Sequence, residues 1–259
     1  MKEIKKYFES RVGKYSFYFE DLNSGYIYGY NENVPMTAAG CIKLPLAVAL
    51  LKEIQDGKYN LEDRFFISDK DKVYGTGIIY EFSEREYSLK ELMVAMLIQS
   101  DNTASNKIIN ILGKDRVNAI FKEMGLKNTM LNRMTTDEVK TDIEEENITT
   151  SYDLCKCWKL LNSHKFLNQE LSDNLISILS RQQLKSKSTL YILEDLKSNI
   201  ANKTGDKPFI ENDTMLIRLP KGNFSFSVMS SEIPNSVYGI VTLAKAGKMM
   251  WDSINNLWI

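Results

Sequence analysis

Three short segments contain the side-chain types needed for proton transfer and for binding an anion. They are Gly40-Cys41-Ile42-Lys43, Ser100-Asp101-Asn102 and Lys203-Thr204-Gly205. A lysine can act as a general base when burial and a second cation lower its pKa, and a serine hydroxyl can relay the proton. Singly, each segment has an ordinary structural explanation, because serine and asparagine cap helices and lysine chains run along apolar helix faces. Together, at the ends of predicted helices and strands, they indicate one site.

The cysteines and the single histidine offer little to any other catalytic system. The odd cysteine count predicts no disulfide framework. Cys155 and Cys157 lie two apart in a predicted helix, so they point to different faces and indicate small buried side chains rather than a metal pair. His164 has no motif around it and stands at a predicted helix end. We therefore predict a surface or capping histidine and no metal site.

Composition limits the class of protein. The 259 residues are 43% hydrophobic and 26% charged, which is typical of one large or two closely packed globular domains. The 34 acidic and 33 basic residues nearly cancel, so no basic excess favours nucleic acid or an anionic membrane surface. The first residues lack the apolar segment of a signal peptide, and no run is apolar enough to span a membrane.

Strand patterns lie at both ends of the chain. Alternating aromatic and polar residues across 14–22 and 26–30 predict a hairpin. Three more strands are predicted at 198–203, 214–219 and 224–230, with turns at 205–213 and 220–223.

Helical patterns fill most of the remainder, and a loop without clear periodicity covers 129–150. The predicted helices are 2–12, one starting near 39, 89–99, 105–112, 117–124, one capped by Thr150 or Ser151, and one starting at 236. We predict an α+β fold: one antiparallel sheet from residues 14–30 and 198–230, covered by the terminal helices, with 40–195 mostly helical. The corresponding domains are 1–38 with 198–259, and 39–197.

The three motifs together resemble the S-x-x-K, S-D-N and K-T-G signature of class A β-lactamases and penicillin-binding proteins. The resemblance covers essentially the whole chain, through 38–45, 75–78, 100–106, 147–150 and 202–213. It implies a β-lactamase/transpeptidase-like fold with a five-stranded sheet and an inserted helical domain. It also implies acyl-enzyme chemistry on β-lactams or cell-wall peptides, without a cofactor.

The resemblance assigns the proton-transfer roles. Lys43 would be the base for a serine one helical turn earlier, since residues three apart share a helix face. Lys203 would be the second cation that lowers its pKa. Ser100 would relay a proton to the leaving nitrogen.

The same resemblance assigns the substrate contacts. Asn102 would hold a substrate amide, and Lys203 with Thr204 and Gly205 would bind a substrate carboxylate. The backbone N–H groups of Gly40 and Asp206 would form the oxyanion hole.

Residue 40 is the first departure from the family pattern, because Gly40 occupies the nucleophile position. Cys41 is a poor substitute for the serine. Its side chain points about a quarter-turn or more away from that of residue 40. It also lies two residues from Lys43, and helix side chains at that spacing do not face each other. Two explanations remain, an engineered Ser→Gly replacement or a natural loss. The sequence as written therefore predicts an inactive chain. We expect the substitution Gly40→Ser to restore acylation.

The loop before Asn147 is the second departure. The family's deacylating glutamate, within E-x-x-L-N, aligns with Thr135 when anchored on Arg133 and with Met134 when anchored on Asn147. Neither residue is acidic, and the usual Arg–Asp ion pair is altered because Asn147 stands opposite Arg133. The nearest acids are Asp137 and Glu138. We therefore predict slow deacylation.

Three functions remain open. The leading one is a β-lactamase-like serine hydrolase acting on β-lactams or related cell-wall peptides, with its nucleophile missing. The second is a non-catalytic module that binds the same ligands, and the third is a structural protein that keeps only the fold. The expected partner is a small molecule, with no nucleic acid and no membrane span, and a monomer is expected. Because the family usually works outside the cytoplasm, we expect an extracytoplasmic protein whose leader has been removed, or a cytoplasmic one if Met1 is the native start.

Overall fold

The computed structural model describes residues 1–138 and 142–257, apart from the side chain of residue 144. The predicted loop therefore includes three positions, 139–141, that lie outside the described residues. The helices are α1 (Lys2–Glu9), α2 (Lys43–Gln55), α3 (Leu89–Ile98), α4 (Asn102–Leu112), α5 (Lys114–Glu123), α6 (Ser151–Ser163), α7 (Gln169–Ser180) and α8 (Ser236–Leu257). The strands are β1 (Lys14–Asp21), β2 (Ile27–Tyr30), β3 (Met36–Thr37), β4 (Arg64–Ile67), β5 (Arg85–Ser88), β6 (Ile148–Thr149), β7 (Ile200–Lys207), β8 (Ile210–Leu219) and β9 (Gly222–Ser231).

One antiparallel sheet joins the two ends of the chain, in the order β2-β1-β9-β8-β7. The N-terminal strand β1 pairs with the late strand β9 from Lys14↔Ser231 to Asp21↔Phe224. The α+β fold with a five-stranded antiparallel sheet is confirmed. The division into two domains stays a prediction.

The sheet separates two hydrophobic cores, because successive strand residues point to opposite faces. Met215 and Ile217 of β8 lie in the core under α1 and α8, with Trp251 of α8. Leu216, between them, lies in the larger core shared with the helical region. This second core contains most of α2 and α3, which fixes the helical region against the sheet face nearest the site.

The predicted ends of two strands were wrong. Strand β7 continues to Lys207 and β8 begins at Ile210, so the predicted turn at 205–213 is mostly paired strand, with Gly205 opposite Asn212. The reversal lies at Pro208-Phe209, where Phe209 has φ 64. Glycine and acidic residues imitate a turn here, but pairing inside the sheet overrides that local preference. The Lys-Thr-Gly motif is therefore inside a strand.

The helix boundaries differ from prediction at several places, and α5 begins at Lys114 rather than at residue 117. Helix α1 ends at Glu9, and α4 begins at Asn102 because the Asp101 carboxylate accepts the Ala104 N–H at 2.8 Å. The helix predicted near residue 39 begins as a 3₁₀ turn, Ala39–Ile42, and continues as α2. Thr150 caps α6, and His164 ends it in a left-handed conformation.

Two short sheets within the mainly helical region were not predicted. Strand β3 pairs with β6, and β4 pairs with β5. In the described residues, no helix is long and apolar enough to cross a membrane.

Candidate active site

The three motifs meet in one narrow cleft. The turn Ala39–Ile42 and the start of α2 form its floor, β7 forms one side, and the junction of α3 with α4 forms the next. Residues 135–137 and 146–147 of the long loop line the remaining side.

Ser100 is the centre of this cleft, because both motif lysines reach its hydroxyl. Lys43 Nζ lies 3.2 Å from Ser100 Oγ, and Lys203 Nζ lies 2.9 Å from the same atom. Lys43 also donates to Asn102 Oδ1 at 2.7 Å and to the Ser100 carbonyl. Ser100 has φ 56, a conformation that costs energy for a residue with a side chain and is common at functional sites.

The electrostatics suit proton transfer. Burial, followed by the positive charge of Lys203, lowers the pKa of Lys43 to about 7. Burial lowers the pKa of Lys203 to about 8. Near neutral pH a large share of Lys43 is therefore uncharged and able to accept a proton, while most Lys203 stays cationic.

The backbone around Gly40 is packed closely against β7. A Cβ at Gly40 would lie 2.8 Å from the Thr204 carbonyl oxygen and 3.0 Å from Ser100 Oγ. A Cβ at Gly205 would lie 2.6 Å from the Gly40 nitrogen and 2.7 Å from the Cys41 nitrogen. Glycine at 205 is thus required for this approach, whereas a side chain at 40 needs β7 to shift slightly.

Cys41 does not point into the cleft. Its side chain is fully buried, and its thiol donates to the Lys203 carbonyl at 3.3 Å. Burial raises the pKa of Cys41 to about 12, so the reactive thiolate is scarce at neutral pH. Over residues 1–138 and 142–257, no group of three or more histidine, cysteine or acidic residues could hold a metal ion.

A third lysine, Lys187, contacts β7, and no periodic pattern in the sequence predicted it. Lys187 is buried, donates to the Gly205 carbonyl at 3.0 Å, and pairs with Glu211 at 2.6 Å. On the neighbouring strand, Asn212 donates to the Thr37 carbonyl at 2.9 Å. These contacts hold the strand carrying Thr204, Gly205 and Asp206 beside residue 40.

The structure distinguishes the two alignments of the loop. Thr135 lines the cleft, and its hydroxyl contacts Ser105 Oγ at 2.6 Å and Asn106 Oδ1 at 2.9 Å. Met134 instead packs against the large hydrophobic core. Thr135 therefore stands at the cleft wall, and neither aligned position provides a carboxylate.

Asp137 provides a carboxylate that the sequence did not assign to the site. It accepts the Asn102 side-chain amide at 2.8 Å, the Thr76 N–H at 2.9 Å and the Thr76 hydroxyl at 3.0 Å. The amide that was predicted to hold a substrate is thus already bonded. This contact joins segments without periodicity, so only the tertiary structure reveals it.

The ion pair of the loop is altered, but its acid is not lost. Arg133 pairs with the buried Glu146 at 3.1 Å, and Lys207 of β7 pairs with the same carboxylate at 2.8 Å. Asn147 Oδ1 instead accepts the backbone N–H groups of Asn132 and Arg133, both at 2.9 Å. Asn147 therefore does stand opposite Arg133, while its sequence neighbour carries the charge.

Comparisons with known proteins bear on the family and the fold. Beta-lactamase CTX-M-97 of Escherichia coli is 31% identical over 160 residues, which cover 61% of this chain and 54% of that protein's length. The beta-lactamase from Sphaerobacter thermophilus DSM 20745 superposes with a TM-score of 0.91 at 23% identity, covering 97% of each chain. A PBP-A variant, solved as an acyl-enzyme complex with penicillin G, superposes with a TM-score of 0.89 at 25% identity, covering 99% of this chain and 96% of that one. The Beta-lactamase enzyme family matches residues 1–254, and the chain belongs to that family.

Proposed function

We propose that this cleft binds β-lactams or related cell-wall peptides and that its polar groups are acyl-transfer machinery. The observation that carries the proposal is the contact of both Lys43 and Lys203 with Ser100 Oγ, at 3.2 and 2.9 Å. A purely structural protein gains nothing from burying two lysines around one hydroxyl, because burying charge costs free energy.

The relatives support the choice of ligand. The matched proteins include β-lactamases and a PBP-A variant captured with penicillin G. In this chain the carboxylate common to these ligands would lie against Lys203 and Thr204, and the scissile carbonyl would face the N–H groups of residues 40 and 206. Ligands of cell-wall type also favour an extracytoplasmic location.

Removal of an acyl group would be slow. Water attack on an ester needs a general base close to the ester carbon. Thr135 has no carboxylate, and Asp137 is held by Thr76 and Asn102. Both observations support a protein that acylates more readily than it turns over.

A binding protein without catalysis is the second candidate. It is favoured by the close approach at residue 40, where a Cβ would lie 2.8 Å from the Thr204 carbonyl oxygen. A serine at this position would need β7 to shift, so the present backbone fits a glycine better than a serine.

Calorimetric titration with benzylpenicillin tests the shared part of both candidates. We expect saturable binding by the unmodified chain that weakens at least about tenfold in Lys203→Met, the loss typical of a charge-assisted contact. Lys248→Met, which removes a lysine from an exposed pair with Asp252, is the matched control and should bind normally. Absence of binding, or equal binding by both variants, would contradict the proposal.

A further inference from the structure

We propose that Ser100 is the nucleophile of this chain, and that its Oγ attacks the carbonyl carbon of a β-lactam bound at Gly40. The inference rests on the proposed function, since it needs a β-lactam in this cleft. It reverses the expectation, drawn from Gly40 alone, that the chain forms no acyl-enzyme.

The position of Ser100 favours its attack on a ligand in this cleft. Ser100 Oγ lies 3.0 Å from the point that a Cβ at residue 40 would occupy. Because Gly40 has no side chain, a ligand in the cleft meets the Ser100 hydroxyl rather than a side chain of residue 40. The nearest hydroxyl to that volume is Ser100, which lines the same cavity as Gly40 and Lys43.

The contacts of Lys43 and Lys203 can activate the Ser100 hydroxyl. A neutral Lys43 has two N–H bonds, which match its two acceptors, the Ser100 carbonyl and Asn102 Oδ1. Its lone pair is then free to accept the Ser100 hydroxyl proton across 3.2 Å. Lys203 donates to the same oxygen at 2.9 Å and so fixes its orientation. An amine base beside a hydroxyl is the arrangement that activates serine nucleophiles.

Thr76, Thr135 and Cys41 are less well placed than Ser100 to act as the nucleophile. The Thr76 hydroxyl donates to Asp137, and the Thr135 hydroxyl contacts Ser105 and Asn106. The Cys41 thiol is buried and faces the Lys203 carbonyl. Of these side chains, Ser100 alone contacts a lysine amine.

The step balances without any further reactant. The Ser100 proton passes to Lys43 as the Oγ–carbon bond forms. The carbon–nitrogen bond of the lactam then breaks, and the proton moves from Lys43 to the leaving nitrogen. The product is a serine ester that contains every atom of the drug.

Intact-protein mass spectrometry with benzylpenicillin, followed by peptide mapping, tests the inference. We expect the unmodified chain to gain one drug mass over hours, on the peptide containing Ser100. Ser100→Ala should lose the adduct, and Cys41→Ala should keep it. Because mapping is done on the unmodified chain, the result does not depend on whether Ser100→Ala folds.

The Gly40→Ser variant separates failure of this inference from failure of the proposed function. If Gly40→Ser is acylated and the unmodified chain is not, Ser100 is no nucleophile while the proposed ligand stands. An adduct that maps to any other residue also overturns the inference. If neither protein is acylated and neither binds the drug, the proposed function fails as well.

Discussion

The two walls of the cleft differ in what they keep of the family pattern. We call the side formed by the Ala39–Ile42 turn, the start of α2 and strand β7 the sheet wall, and the side formed by the loop 129–150 the loop wall. The sheet wall keeps Lys43 and Lys203 around Ser100 and lacks only the side chain of residue 40. The described part of the loop wall has an ion pair between Arg133 and Glu146 but no carboxylate at the aligned position.

The difference supports the proposal that the chain favours acylation over deacylation. In the proposed function, Lys43 and Lys203 would serve acylation, and deacylation would need a carboxylate on the loop wall. The sheet wall consists of regular elements fixed by backbone pairing and buried packing. The loop wall depends on individual side-chain contacts, so its chemistry changes with few substitutions.

Restoring the serine tests the sheet wall directly and should have the largest effect. Gly40→Ser should acylate with benzylpenicillin about 10⁴-fold faster than the unmodified chain, measured by quenched time courses in the mass spectrometer. This is less than the roughly 10⁶-fold that losing the serine costs a serine hydrolase, because Ser100 substitutes in part. The adduct should map to residue 40 and be long-lived.

Gly40→Ala is the matched control, since it brings the same Cβ against the Thr204 carbonyl without a hydroxyl. It should fold and show no such acceleration. Rapid turnover in Gly40→Ser would instead mean that the loop wall does activate water.

Removing the base should have the next largest effect. In the Gly40→Ser background, Lys43→Met should slow acylation by about 10³-fold, within the range usual for general base catalysis. The apolar side chain fills the same buried volume, so circular dichroism and the melting temperature should show an intact fold. A rate within threefold of the parent would show that Lys43 is not the base.

Breaking the ion pairs of the loop wall should mainly affect stability. Glu146 is 1% exposed and faces both Arg133 and Lys207. Glu146→Gln leaves two cations without their carboxylate and should lower the free energy of unfolding by about 3 kcal/mol, measured by urea denaturation. Asp252→Asn, at an exposed helix pair with Lys248, should change it little. Equal small effects would show that the loop wall does not depend on Glu146.

The pH dependence of the acylation rate should reflect the protonation of Lys43. Its pKa is lowered to about 7, and the neutral form is the active one. Acylation of Gly40→Ser should therefore be fastest between about pH 7 and 8 and fall about tenfold per pH unit below 6, as Lys43 takes up a proton. It should fall again above pH 8, as Lys203, whose pKa is lowered to about 8, loses its charge. Stopped-flow acylation rates between pH 5 and 8.5 measure this. A rate that rises as the pH falls below about 6 would contradict the assignment.

The contact between the walls should have the smallest effect. Asp137→Ala frees the Asn102 amide for a substrate carbonyl and should tighten benzylpenicillin binding by about fivefold, the contribution of one hydrogen bond. Glu138→Ala removes the neighbouring exposed acid and is the matched control. Calorimetric titration measures both. Weaker binding in Asp137→Ala would show that this carboxylate assists the ligand.

Much of the sheet wall could be predicted from the sequence alone. Strand alternation at both ends predicted one sheet, and the three motifs predicted that Lys43, Ser100 and Lys203 would share a site. These predictions rest on local signals, the period of hydrophobic residues and the spacing of short motifs. Local signals conflict with pairing in the two strands that contain Gly205 and Asp213. There the sequence predicted a turn, but the segments pair within the sheet.

The loop wall and the charge state of the site were decided by the tertiary structure. The contacts of Asp137 with Thr76 and of Glu146 with Lys207 span 61 residues each and leave no periodic trace in the sequence. The lowered pKa of Lys43 arises from burial and from a lysine 160 positions away. The sequence by itself determined which reactive groups are present and which one is absent at residue 40. Only folding set the distances that allow Ser100 to be activated, because proximity between distant residues depends on packing rather than on any local pattern.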